Sequence, residues 1–159
     1  MAAFDELVGE LDYPMLVVTA AAGGERSGCL VGFATQCSIS PPRFFVYLSV
    51  KNHTLAVASG ADALGVHFPT TGDEDLAELF GGETGDEVDK FAAIDWHEGP
   101  MGVPLVDRCP NRFVGRVLER HDAGDHVGFV LEPIDVSFAG AFEPLPFQQA
   151  KRIDPGHES

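Results

Sequence analysis

The chain has 159 residues, of which 45% are hydrophobic, and this is enough for one domain with a substantial core. Its formal net charge of −15 argues against nucleic acid or an anionic membrane surface as a partner, because both are bound through basic patches. No run of about 20 consecutive apolar residues is present, so we expect no membrane span. The acidic stretch MAAFDELVGELD lacks the basic start of a secretory signal, which favours a soluble, cytoplasmic protein.

The cysteines favour reduced thiols over a disulfide framework or a zinc site, because they are three in number and form no CxxC motif. Cys29 and Cys37 lie in apolar, strand-like contexts, so we expect both to be small buried residues without chemistry. A metal site at His97 with His67 or Glu98 has no support from ligand spacing. The sequence therefore predicts no metal centre.

The first half of the chain alternates strands with breaks. Apolar residues at helical spacing in FDELVGEL predict a short helix. Glycines and charges predict a loop at AAGGERSG, and the paired prolines of SPP mark a break between two strands. The apolar and β-branched runs that we predict as strands are YPMLVVTA, CLVGFATQCS and RFFVYLSV.

The second half mixes short helices with strands. NHTLAVASGA predicts a short helix that begins near Thr54, and TGDEDLAELFGG predicts one that begins at Thr71 or Asp73 and ends at Gly81 and Gly82. Residues 94–110, rich in Gly and Pro, predict a long loop. The remaining predicted elements are a strand at DALGVHF, a turn or short helix at GDEVDKFAAI, strands at RFVGRVLE and VGFVLEPIDVSF, and a Pro-rich tail.

The segment RHDAGDH, residues 120–126, joins the last two predicted strands and should form a hairpin loop. Gly124 supplies the residue that tolerates positive φ. Nothing in a turn requires His121 and His126, so the hairpin is a candidate functional site. In the strand that follows, Pro133 removes a hydrogen-bond donor, and we expect a bulge or a sheet edge there.

Five or six strands, short helices at the edges and no βαβ alternation predict a mainly β protein built as an antiparallel barrel with short peripheral helices. No internal repeat or linker interrupts the pattern. We therefore expect a single domain over residues 1–159, with its core at about residues 13–139 and a polar tail after it.

The segment YLSVKNHT is a candidate anion site on an otherwise acidic protein. It would present the Lys51 ammonium, the Thr54 hydroxyl and free N–H groups at a helix N-terminus, a combination that binds phosphate. The alternative is a Thr N-cap beside a solvated lysine. One strand earlier, Gly32 would let a flat ligand approach the backbone, or it marks only a bulge.

These segments resemble the flavin reductase-like proteins with an FMN-binding split barrel, and the likeness runs from about Tyr13 to Ala139. It is carried by YPMLVVTA, GCLVGFATQCSISPP, KNHT, DLAELFGG, DKFAAIDW, GVPLV and HDAGDH. The Gly-Asp-His triplet at residues 124–126 is the most specific match. It is similar to the reduced-pyridine-nucleotide motif in the reductase components of two-component monooxygenases.

The resemblance implies roles for individual residues. His126 would lie nearest the nicotinamide and serve as the catalytic residue. Residues that would contact the isoalloxazine ring are Leu30, Val31, Gly32 and Phe33. Residues that would serve the ribityl chain and phosphate are Gln36, Ser38, Lys51 and Thr54. Residues that would meet the nicotinamide nucleotide beside His126 are Gly124 and Asp125.

The implied activity is hydride transfer from the nicotinamide of NADH or NADPH to N5 of FMN or FAD, in a homodimer that supplies reduced flavin to a partner monooxygenase. Beyond Arg108, Arg112, Arg116 and Arg120, the sequence offers no clear basic residue to bind the 2′-phosphate of NADPH. This favours NADH. The alternative is a non-catalytic FMN-binding module for electron transfer, storage or sensing. Small hydroxyl residues are common in the family where this chain has Gly32 and Gln36, and this departure leaves the alternative open.

Overall fold

The computed structural model describes residues 2–82 and 89–152. In chain order these residues form α1 (Ala2–Gly9), β1 (Leu16–Ala22), β2 (Glu25–Val31), β3 (Ala34–Ser38), β4 (Arg43–Ser49), α2 (His53–Ala58), β5 (Ala63–His67), α3 (Glu74–Gly82), β6 (Trp96–Glu98), β7 (Pro104–Val106), β8 (Arg112–Asp122), β9 (His126–Ser137) and α4 (Phe147–Ala150). Short 3₁₀ turns occupy Lys90–Ala93 and Pro100–Gly102. No described helix is long and apolar enough to cross a bilayer.

The main sheet has seven strands in the order β2-β1-β5-β8-β9-β4-β3, and every neighbouring pair is antiparallel. Its two edge strands, β2 and β3, are consecutive in the chain and are joined only by Gly32 and Phe33. The Tyr47 amide of β4 donates to the Phe33 carbonyl at 2.9 Å, so this link is hydrogen-bonded to the edge of the sheet formed by β4 and β3. The predicted mainly β, antiparallel architecture with short peripheral helices is confirmed.

Strand β1 is buried on both faces, as its continuous apolar sequence predicts. Val18 contributes to the barrel interior, whereas its neighbour Val17 packs outward against Leu76 and Phe80 of α3. Helix α3 therefore covers the outside of the strand. Because successive side chains of a strand point to opposite faces, a nearly continuous apolar run suits this position, and its one polar side chain, Thr19, is buried with its hydroxyl donating to the Pro104 carbonyl.

The segment CLVGFATQCS is not the single strand that we expected, because the chain breaks at Gly32 and continues as β3. The loop predicted over AAGGERSG is shorter than expected: Gly23 and Gly24, both with positive φ, make a two-residue turn, and the strands run up to it. Cys29 is buried as predicted. The prediction for Cys37 is wrong, because it is exposed at the point where the pairing of β3 with β4 shifts register.

The predicted loop at residues 94–110 contains a two-stranded sheet of β6 and β7. The core also continues beyond residue 139, where we expected it to end. Leu145 is completely buried and its carbonyl accepts a 2.8 Å hydrogen bond from the Met15 amide. The polar-tail prediction fails at this point because one leucine within a Pro-rich stretch gives no periodic signal.

Several boundaries match their predicted residues. Asp73 precedes α3, and its carboxylate accepts from the amide and the hydroxyl of Thr70. The described part of α3 runs to Gly82. A register shift in the β8–β9 pair falls beside Pro133, as its missing donor predicts. Of GDEVDKFAAI only the 3₁₀ turn from residue 90 is described, and the C-terminal residues 153–159 lie outside the described residues.

Candidate functional site

A pocket of about 190 Å³ opens where the two edges of the sheet meet. Residues 30–33, which we predicted to contact a flat ligand, line this pocket, and so does His126 of the hairpin. Five predicted site residues are brought together here: Leu30, Val31, Gly32, Phe33 and His126. The fold therefore unites two segments that the sequence connects only through the resemblance.

Gly32 sets the width of the pocket. A Cβ at this position would lie 3.1 Å from Tyr13 Cε2 and 3.3 Å from Met15 Sδ, closer than side chains normally approach. A hydroxyl residue here would press against the Tyr13 ring or force it to move. The glycine therefore keeps the backbone of this wall accessible, which suits the close approach of a flat group.

The hairpin holds His126 through backbone contacts. Its loop is residues 123–125, with Gly124 at φ 107°, and the Ala123 amide donates to the His126 carbonyl at 2.9 Å. The Asp125 carbonyl accepts from the Val50 amide at 2.9 Å, which ties the loop to the end of β4. The predicted hairpin and the predicted positive φ are therefore both observed.

The His126 ring is fixed on two sides. Its Nδ1 donates to the Asp125 carboxylate at 2.8 Å, since an ionised carboxylate can only accept, and Nε2 has no hydrogen-bond partner among the described residues. This hydrogen bond lowers the pKa of the exposed Asp125 carboxyl below its ordinary value. The ring also lies 4.8 Å from the Phe33 ring, at a tilt of 47°, and only 17% of the His126 side chain is exposed.

The predicted anion site is assembled differently from the sequence expectation. Asn52, not Thr54, caps α2, and its side chain accepts from the Thr54 amide at 2.9 Å. The Thr54 hydroxyl is buried and hydrogen-bonded to Ser27 at 2.8 Å. Thr54 therefore does not fit as a direct phosphate ligand in this structure. Lys51 lies next to the pocket residues Ser49 and Asn52, with its amide donating to the Ser49 hydroxyl.

Gln36 and Ser38 lie on the edge strand β3 and are not among the described residues that line the pocket. The Gln36 amide donates to the Ser38 carbonyl at 3.0 Å and so closes a local contact across the register shift. The sequence placed both residues by their position in the motif. The register shift between Gln36 and Ser38 had no sequence pattern that predicted it.

Three other histidines, His53, His67 and His97, have structural partners. His67 is fully buried, its Nδ1 donates to the Val17 carbonyl at 3.0 Å, and its Nε2 accepts from the Val106 amide at 3.0 Å. Burial lowers the pKa of His67 to about 4, so it is neutral. His53 pairs with Glu25, and His97 pairs with Asp107. Within residues 2–82 and 89–152, no cluster of three or more His, Cys, Asp or Glu side chains is placed to hold a metal ion.

Phe91 and Trp96 pack onto the barrel and are not among the described residues that line the pocket. Phe91 is buried against Phe80, and Trp96 contacts Phe91 at a ring separation of 5.6 Å. The Arg26 guanidinium lies 4.5 Å from the Trp96 ring centre. These residues therefore belong to the outer core around α3.

Comparison with known proteins identifies this architecture. The model of the flavin reductase-like domain matches residues 8–154. The chain belongs to that family. The FMN reductase (NADH) RutF of Ancylobacter novellus is 25% identical to this flavin reductase-like chain over 142 residues, covering 89% of the chain and 78% of the relative. The ferric-chelate reductase (NAD(P)H) of Archaeoglobus fulgidus is 27% identical over 141 residues, covering 87% and 83%.

A solved structure agrees on the fold. The flavin reductase domain protein of Arthrobacter sp. FB24 aligns with a TM-score of 0.84 at 19% identity, covering 93% of this chain and 91% of that chain. At this identity the likeness shows the fold alone. The predicted split barrel is thereby confirmed.

The flavin reductase-like pocket also has walls that sequence reasoning missed. Tyr13 and Phe147 come from opposite ends of the described chain and stack at 4.7 Å, with their rings nearly parallel at 10°. The Phe147 amide donates to the Tyr13 carbonyl at 2.8 Å and holds α4 against this wall. Other lining residues that we did not predict are Met15, Cys29, Tyr47, Leu48, Ser49 and Asn52. An aromatic residue in each terminal segment was the only available signal.

Proposed function

We propose that this protein is an NADH-dependent flavin reductase that supplies reduced flavin to a partner monooxygenase. The observation that carries the proposal is the meeting of His126 and Phe33, with ring centres 4.8 Å apart, in one pocket. His126 belongs to the segment that resembles a nicotinamide-nucleotide motif, and Phe33 belongs to the segment expected to lie along the flavin. Hydride transfer requires these two ligands to stack, with reacting atoms about 3–3.5 Å apart.

The residues of the pocket fit a flavin. Leu30, Val31, Gly32 and Phe33 would hold its ring through backbone groups and apolar contact, and the Tyr13 and Phe147 rings would cover the end of the pocket. Ser49 and Asn52 provide polar side chains on the opposite wall. A flavin bound here would supply the hydride acceptor, its N5 atom, so the protein itself needs no general base.

In this proposal His126 binds and orients the nicotinamide ring of the nucleotide. Its Nδ1 is occupied by Asp125, so Nε2 is the nitrogen that meets the substrate. The Phe33 ring limits the rotation of the imidazole from the other side. Gly124 permits the turn that places both residues, and its positive φ would strain any residue with a Cβ.

The cofactor phosphate is assigned to Lys51, which carries a positive charge at the end of β4. We favour NADH over NADPH because the candidate arginines have other partners. The Arg108 side chain binds Asp73 and Asp75, and the Arg112 and Arg120 side chains donate to backbone carbonyls. Arg116 lies 3.8 Å from Glu132. Recruiting one of them to a 2′-phosphate would cost an existing interaction.

We also propose a homodimer and a cytoplasmic location. Helix α1 has no buried residues, and its side chains Phe4 and Leu7 are 57% and 64% exposed. An association of two copies that covers these side chains would remove apolar area from water. The cytoplasm provides the reduced nucleotide, and the FMN reductase relatives carry NADH in their names.

The deciding experiment is anaerobic mixing of the purified protein with FMN or FAD and excess NADH or NADPH, followed at about 450 nm, where oxidised flavin absorbs. Bleaching faster than the protein-free reaction supports the reductase and identifies the preferred nucleotide and flavin. Tight flavin binding without bleaching by either nucleotide would overturn it in favour of an FMN-binding module. A protein that binds no flavin would refute both functions.

Two variants separate the proposed roles. His126→Ala should lower kcat/KM for the nucleotide about tenfold or more while leaving the flavin dissociation constant nearly unchanged, and Lys51→Ala should mainly raise the flavin dissociation constant. His97→Ala is the matched control, since this exposed histidine pairs with Asp107 away from the pocket. Equal losses of both functions in the two variants would indicate damage to the fold and contradict the assignment.

A further inference from the structure

His121, which the sequence presents as a strand-end neighbour of the motif, is bonded to a wall of the pocket. A hydrogen bond of 2.7 Å joins His121 Nε2 to the Tyr47 hydroxyl, and the two rings meet edge to face with centres 5.3 Å apart. Tyr47 lines the pocket, whereas His121 is exposed and stands two strands away on β8. The hydrogen bond therefore joins an exposed residue of β8 to a residue that lines the pocket.

A glycine makes this contact possible. On β9, Gly128 pairs with Tyr47 on one side and with His121 on the other, so the two side chains approach each other above it. A Cβ at Gly128 would lie 2.6 Å from Tyr47 Cε1 and 2.6 Å from His121 Nε2. Any side chain at this position would separate the rings.

Tyr47 has two further contacts. Its ring meets the ring of Phe45, on the same strand, edge to face with centres 5.0 Å apart, and its backbone amide donates to the Phe33 carbonyl. The residues that contact Tyr47 thus include Phe33, which touches His126 on the other side of the pocket. Tyr47 is therefore fixed at its backbone, its ring and its hydroxyl.

We propose that Tyr47 is a ring-binding wall of the flavin site and that His121 is a positioning residue, which acts by holding the Tyr47 ring over Gly128. This inference rests on the proposed function, because it assumes a planar flavin ring in the pocket. A ring fixed at its far end retains one orientation before the ligand arrives, so binding costs less side-chain entropy. His121 is not among the described residues that line the pocket, so in this proposal it acts only through Tyr47.

The test is a double-mutant cycle on FMN affinity, measured by titration of flavin fluorescence on the full chain without nucleotide. Tyr47→Phe removes only the hydroxyl, and His121→Ala removes its partner. Each should raise the FMN dissociation constant about fivefold, as expected for the loss of one hydrogen bond. The double variant should be no worse than either single variant, because both remove the same interaction.

Two further variants separate positioning from folding. His121→Gln restores a side chain that can reach the Tyr47 hydroxyl, so it should recover most of the FMN affinity lost in His121→Ala. Gly128→Ala should weaken FMN binding more than either single variant, since it displaces both rings. The melting temperatures of the Tyr47 and His121 variants should stay within about 2 °C of the wild type, since exposed contacts contribute little to stability.

The outcomes are distinct. Wild-type protein that binds neither FMN nor FAD would refute the proposed function and this inference together. Wild-type binding with unchanged affinity in Tyr47→Phe and His121→Ala would overturn the inference alone. Additive losses in the double variant, or losses that follow a lower melting temperature and are not recovered by His121→Gln, would also overturn it.

Discussion

Two histidines of this protein, His67 and His126, each lie on a strand of the same sheet and differ in what their nitrogens bind. The ring of His67 uses both nitrogens on backbone groups, inside the protein and away from water. The ring of His126 uses one nitrogen on an exposed carboxylate and keeps the other at a pocket. A histidine whose two ring nitrogens both bond to backbone groups serves the structure. A histidine with one nitrogen at a pocket can also bind a ligand.

The two regions also use glycine differently. Around His67, Gly65 pairs with Thr19 in the buried interior, and a Cβ added there would lie within 3.1 Å of three neighbouring side chains. Around the pocket, glycines keep space between side chains that a ligand or a hydrogen bond then uses. We therefore expect substitutions in the first region to change the free energy of unfolding, and substitutions in the second to change binding and rate.

The largest expected effect is at Gly65. In Gly65→Ala the new Cβ would lie 2.3 Å from Thr19 Oγ1 and 2.9 Å from Val103 Cγ1, and the Thr19 hydroxyl would lose its 2.6 Å bond to the Pro104 carbonyl. We expect a loss of about 3 kcal/mol in the free energy of unfolding, measured by urea denaturation. Gly9→Ala is the control, because apart from its chain neighbours and the backbone of α1 no described atom lies within 4 Å of its Cβ position. Similar stabilities for both variants would contradict the close packing described here.

The next effect concerns the pH dependence of stability. Folding lowers the pKa of His67 from 6.5 to about 4, mainly because the ring is buried. Between these values the unfolded chain takes up a proton that the folded protein does not, so stability falls as pH falls from 6.5 and this contribution levels off below 4. The loss from this group amounts to roughly 3 kcal/mol at pH 4.

His67→Gln isolates that contribution, because its amide also offers a donor and an acceptor but does not titrate in this range. The variant should start from a lower stability at pH 7 and lose less between pH 6.5 and 4 than the wild type does, as measured by urea denaturation at each pH. Parallel curves for the two proteins would show that His67 does not govern the acid sensitivity.

The smallest expected effect is in the pocket region. Asp125→Asn keeps a hydrogen-bonding side chain beside His126 Nδ1 but removes the negative charge that fixes its proton. We expect kcat/KM for the nucleotide to fall about threefold to tenfold in the stopped-flow assay, with the free energy of unfolding unchanged within about 0.5 kcal/mol, since Asp125 is exposed. A clear loss of stability would place this residue with His67 as part of the scaffold.

The sequence was sufficient for the parts of the fold with a local signal. The strands flanking Gly124 are long and contain apolar runs, and the β1 run is nearly continuous, so both were predictable. The hairpin of β6 and β7 was not, since strands of three residues are too short to show an alternation. Gly and Pro around them signalled only a loop.

The residues of the candidate site likewise fall into those that a local motif predicted and those that it did not. The backbone wall at residues 30–33 and His126 were placed by a motif, and the pocket contains them. Tyr13, Tyr47 and Phe147 were missed because their roles depend on contacts between distant segments. The buried hydroxyl of Thr54 was misplaced for a similar reason: its partner Ser27 lies on another element.

The stacked pair Tyr13 and Phe147 has a consequence for biosynthesis. Tyr13 precedes every strand of the sheet in the chain and Phe147 follows the last of them, so the ribosome makes Phe147 only after all the strands. A nascent chain can therefore assemble its barrel before this wall of the pocket exists. A chain released before Phe147 would lack that wall, so the ability to retain a ligand would distinguish such fragments from finished molecules.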